Sequence, residues 1–144
     1  MEFTTKNGQK EVIINAASFK DAVALKKTVM QSLLDAGFIK DVNFEKMQNI
    51  DTNDIFSKLG QLIISMDVSE GFNRAVFRCL ESCLYDGFTK INEKLFDDKP
   101  EAREDYYEIV SKCCEVNLRP FLKSLVSELT QRFEILGGNI PEQQ

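Results

Sequence analysis

Histidine and tryptophan are both absent from this chain. Without histidine the commonest general base and a leading metal ligand are missing, so acid–base or nucleophilic chemistry would fall to carboxylates, lysine or tyrosine. Proline occurs 3 times and glycine 7 times, and the glycines are scattered. None falls in a phosphate-cradling or dinucleotide pattern, and no Pro-, Gly- or Ser-rich stretch divides the chain. No window approaches 18 uninterrupted apolar residues, which argues against a membrane span. Basic residues are outnumbered 18 to 23 by acids, giving a net charge of −5. That balance disfavours a nucleic-acid backbone as partner, because such binding draws on clustered Lys and Arg. The opening MEFTTKNGQKEV lacks the basic and apolar regions of a secretory leader, which predicts a cytosolic protein with reduced thiols.

What is present is an ordinary soluble composition, 43% hydrophobic and 28% charged over 144 residues, sufficient for one core. Phe3 and Thr5, Asn7-Gly8, then Val12 and Ile14 alternate as a hairpin would. Asn-Gly predicts a two-residue turn that places Phe3 opposite Val12. An isolated hairpin is marginal, so it must lie on helices or pair with another strand.

Helical periodicity dominates the remainder. Ser18 and Asp21 form a capping signature ahead of Ala22, Leu25, Val29, Leu33 and Ala36, with Gly37 at the terminating position. A second helix is predicted from Thr52 through Met66, and a third from Ser69 to Gly87. In the third, Phe72, Ala75, Val76, Cys79, Leu80 and Cys83 make the apolar stripe, opposite Glu70, Arg74, Arg78 and Glu81. Phe88 to Ile91 reads as a short strand, followed by Asn92 capping a brief helix through Leu95 and Phe96. Pro100 opens a further helix through Tyr106, Ile109, Val110, Cys113 and Cys114. Pro120 predicts a break near Asn117, with Asn117 capping a last helix that Gly137-Gly138 stops. The resulting fold class is mainly α: a single-domain helical bundle over residues 1–136 with a small N-terminal β-hairpin (1–15), and a flexible tail over 137–144.

Three groups of residues invite a chemical reading. Cys79 and Cys83, with the adjacent Cys113 and Cys114, lack the spacing of a zinc knuckle, and neighbours on a helix diverge by about 100°. Reduced thiols acting as small hydrophobes are the favoured reading, and a Cys-dependent metal or redox protein is its rival. Asp97, Asp98, Glu101, Glu104, Asp105 and Glu108 do not match an EF-hand loop. They read as a solvated helix start that complements the dipole, with a hydrolase built on Glu104 and Asp105 as the weaker option. No catalytic residue, cofactor site or metal site is assigned. An amphipathic C-terminal helix ordinarily packs on its own core, but the apolar positions here spread around much of the helix. Phe121, Leu125, Leu129 and Phe133 are the candidate partner-binding face.

VIINAASFKDAVALKKTV (12–29), FRCLESCLYDG (77–87), INEKLFDD (91–98), EAREDYYEIV (101–110) and VNLRPFLKSL (116–125) together resemble the tail assembly chaperones of long-tailed phages and prophages of Gram-positive bacteria. The resemblance implies a small, non-enzymatic protein of the host cytoplasm, absent from the mature virion, whose partner is the tape measure protein. It also implies a longer form made by programmed frameshifting that recruits the tail tube protein, this chain being the short form. Self-association into a homo-oligomer stays open. A generic helical adaptor or inhibitor from a mobile element is the alternative within the binding class.

Overall fold

The computed structural model describes residues 1–35, 60 and 69–135. The helix expected over 52–66, the stops at Gly37 and Gly137-Gly138, and the tail over 137–144 lie outside the described residues.

The fold is mainly α with one small sheet. Strands β1 (Glu2–Thr4) and β2 (Glu11–Ile13) form the expected hairpin, with Phe3 opposite Val12. Helix α1 (Phe19–Asp35) starts where the Ser18 hydroxyl accepts the Asp21 amide at 3.2 Å. Helix α2 (Glu70–Leu80) is capped by Ser69, whose hydroxyl accepts the Phe72 amide. The caps satisfy backbone donors that a helix start otherwise leaves open. Helix α1 packs along α2 and the later helix Tyr106–Leu118, so Leu25, Val29, Phe72 and Val76 share one core. The α2 stripe is buried throughout, and Glu70, Arg74, Arg78 and Glu81 face solvent.

Helix α2 does not run to Gly87. It ends at Leu80, and the chain turns into a second hairpin made of β3 (Leu84–Tyr85) and β4 (Thr89–Lys90). Its bend places Asp86 and Gly87 at positive φ, 58° and 82°. Asp-Gly is itself a hairpin signal. Strand β3 pairs with the free edge of β2, Val12 opposite Tyr85, which completes an antiparallel sheet in the order β1-β2-β3-β4. The N-terminal hairpin thus gains the strand partner its marginal stability requires.

Asn92 caps α3 (Glu93–Asp98) through its side-chain oxygen, as expected, and Leu95 and Phe96 are buried. Pro100 begins a 3₁₀ turn (Pro100–Asp105) before the α-helix α4 (Tyr106–Leu118). The break at proline falls at a second 3₁₀ turn (Arg119–Phe121), not at Asn117, and α5 (Leu122–Ile135) follows. Asn117 stays inside α4 because its buried side chain has another task. Its Oδ1 accepts the Ala17 amide at 2.9 Å and its Nδ2 donates to the Cys113 carbonyl at 2.9 Å, which ties the entry of α1 to α4.

Candidate interaction surface

The four thiols converge on the core. Cys79 lies near the end of α2, Cys83 lies beyond that helix, and Cys113 and Cys114 sit on α4; all four are buried and free. The Cys79 thiol donates to the Asp21 carbonyl at 3.5 Å, and that of Cys83 to the Asn15 carbonyl at 3.7 Å. Burial pushes Cys114 up to about 12 and also raises Cys83. The hydrogen bond with Cys79, and then burial, hold Cys113 well above the ordinary thiol range. Cys79 goes the other way, lowered chiefly by its hydrogen bond with Cys113. The three raised thiols stay protonated, and a protonated thiol is a poor nucleophile and a poor ligand. Among the described residues no three His, Cys, Asp or Glu side chains are arranged to hold a metal ion.

The acidic segment is not one solvated face. Glu101 and Glu104 are exposed, whereas Asp105 is fully buried. Its carboxylate accepts the Gly8 amide at 2.9 Å and the Tyr85 hydroxyl at 2.8 Å. Nearby, Lys6 N donates to the Glu108 carboxylate and Asn7 Nδ2 to the Glu104 carbonyl, both at 2.9 Å. The segment is therefore a clasp for the tip of the first hairpin. That clasp also reshapes the turn. Gly8 is not in the left-handed region; Gln9 is, at φ 55°, and the loop opens to residues 6–9, closed by Thr5 N to Lys10 O at 2.8 Å. Glycine is required at position 8 by close approach, since a Cβ there would stand 2.3 Å from Asp105 Oδ2. Burial, followed by the bond to Asp105, raises the Tyr85 hydroxyl above its ordinary range.

The feature best suited to contact is a groove of about 760 Å³ bounded by α2, α3 and the start of α4. Its wall is aromatic. The rings of Phe77 and Phe96 lie 6.3 Å apart, those of Phe96 and Tyr106 5.3 Å apart at 90°, and those of Tyr106 and Tyr107 5.1 Å apart. Edge-to-face geometry of this kind adds to what apolar burial contributes. Glu70, Arg74, Glu93, Asp97 and Arg103 surround it. The residue pattern hid this site because Phe77 and Tyr107 stand off the apolar stripes of their helices. The tandem tyrosines at 106 and 107, one of which must leave the core face, are the signal that points to it.

Of the residues expected on the last helix, Phe121 falls in the 3₁₀ turn before it, and the described side chains are divided between core and surface. Leu125 is only 2% exposed and belongs to the protein's own core, while Phe121 is half-buried. The Phe121 ring lies 6.2 Å from that of Phe19, which is 75% exposed. The side chains of Leu129 and Phe133 lie outside the described residues. Lys26 and Glu128 form an ion pair that links α1 to α5. Among the described residues no helix is long and apolar enough to cross a membrane.

Comparison with protein-family models matches residues 7–130 to the phage tail assembly chaperone protein, TAC. No curated protein and no solved structure matches the chain. The matched stretch runs from the clasped hairpin tip into α5 and so covers the whole described core. The chain belongs to the phage tail assembly chaperone family.

Proposed function

We propose that this protein binds the tape measure protein in the host cytoplasm and keeps it soluble until the tail tube encloses it, acting by contact and not by catalysis. The observation that carries this reading is the family match over residues 7–130. The structure is consistent with it physically. The thiols are sequestered and the buried carboxylate is occupied in holding a hairpin, while Tyr107 at the groove and Phe19 are exposed. A tape measure protein is a long helical chain whose apolar seams need covering before assembly, and helix-in-groove contact covers such seams reversibly. Phe121, in the turn before α5 and beside exposed Phe19, is the residue we place at a partner contact; Leu129 and Phe133 extend that proposal into α5. A longer form carrying a C-terminal extension would bring the tail tube protein to the same complex.

The test is an affinity pull-down with tape measure fragments co-expressed beside the tagged chain. Retention of a fragment through washing is the expected result. Fragments that never co-purify would remove the reading.

A further inference from the structure

We propose that the aromatic groove between α2, α3 and the start of α4 docks one amphipathic helix whose apolar side chains are flanked by lysine or arginine. Its apolar part is built by Phe77, Phe96, Tyr106 and Tyr107, with Tyr107 already 41% exposed. The volume, about 760 Å³, falls within the range of formed binding sites. Small-molecule sites place a few polar groups inside an apolar pocket. Here the charged lining residues Glu70, Arg74, Glu93, Asp97 and Arg103 stand exposed at the margin, and half-buried Asn73 is the lining amide set further in. An apolar centre with a charged rim is the anatomy of a protein interface.

The rim charges select the partner. Arg103 is committed to its neighbours, donating to the Phe96 carbonyl at 2.9 Å and standing 3.9 Å from Asp97. Among the described residues Glu70 and Glu93 enter no ion pair. Against them stands Arg74, so acid is in excess at the groove as it is over the whole chain, at −5. A cationic side chain beside the apolar face would meet those carboxylates and could lie over the exposed face of Tyr107. The same excess disfavours a second copy of this acidic chain as the occupant. The natural occupant, on the reading proposed above, is a helix of the tape measure protein; the groove's chemistry is argued without it.

The probes are two fluorescein-labelled model helices of about 18 residues, five turns long, one of Leu and Lys and the other of Leu and Glu, titrated against the full chain by anisotropy. The Leu/Lys helix is expected to bind at least about tenfold more tightly than the Leu/Glu helix. Tyr107→Ala and Glu93→Lys should each weaken it by about tenfold, the loss typical of a central interface residue. Glu2→Lys, on the exposed β1 strand, should leave it unchanged. Thermal melts report whether Tyr107→Ala folds; exposed Glu93 carries the test if it does not. No binding of either helix, equal binding of both, or equal losses in Glu93→Lys and Glu2→Lys overturns the groove. These outcomes do not depend on whether a tape measure fragment is retained in the pull-down, so the groove and the partner's identity fail separately.

Discussion

Gly8 and Asp105 show how much a single residue can fix here. A methyl group at position 8 would press on Asp105 Oδ2, which the Tyr85 hydroxyl and the Gly8 amide already hold in place. The carboxylate has no room to move without losing a bond. Gly8→Ala should therefore cost about 1–3 kcal/mol, the penalty for an unsatisfied buried polar group. The cost should shrink in an Asp105→Ala background, because the two changes act on one contact. Chemical denaturation of the four variants of that cycle measures it. The thiols give a second prediction at this scale. Cys114 is held up to about 12 by burial, whereas a thiol in the unfolded chain ionises near about 8.5. A group raised in the native state stabilises fully below its unfolded value and loses that contribution as pH rises towards the native one. Tyr85, also raised, acts with the same sign from about pH 10 upward. Cys79, lowered chiefly by its hydrogen bond with Cys113, acts with the opposite sign below its unfolded value. Once that contribution is complete, the raised groups should make the melting temperature fall progressively from about pH 8.5 upward. Cys114→Ala should flatten the first part of that fall, and a decline no different from the parent's would contradict it.

Among the elements, the most dependent on distant partners is the join between β2 and α1. Asn117 reaches it from 100 residues away, accepting the Ala17 amide while anchored to the Cys113 carbonyl. Asn117→Ala should destabilise the fold by about 1–3 kcal/mol, since it leaves the part-buried Ala17 amide without its acceptor. Amide exchange should rise first at Ala17 and at the start of α1; uniform exchange across the chain would argue against a local tie. This join also shows what the sequence could and could not disclose. Local signals were legible. The helix start at Ser69, the Asn92 cap, the buried stripe of α2 and the opposition of Phe3 and Val12 all follow from nearby residues. The misread positions are those whose neighbours are far along the chain. Leu84 and Tyr85 look helical until β2 offers an edge, Asp105 looks solvated until Gly8 arrives from 97 residues away, and Asn117 looks like a cap until Ala17 takes its oxygen. The groove was invisible for the same reason, since its rings come from three elements that only packing assembles.

At the scale of the whole molecule, the fold devotes its polar chemistry to holding itself together and leaves aromatic surface outside. The buried carboxylate holds a hairpin, the buried amide holds a helix entry, and the thiols fill the core. A net charge of −5 favours solubility. On the function proposed above this chaperone works by contact, and the decisive quantity is how much tape measure protein it keeps out of the pellet. Expressed alone and centrifuged, a tape measure fragment should sediment; expressed with this chain in molar excess, most of it should remain in the supernatant. A fragment that sediments equally with and without the chain would contradict the account.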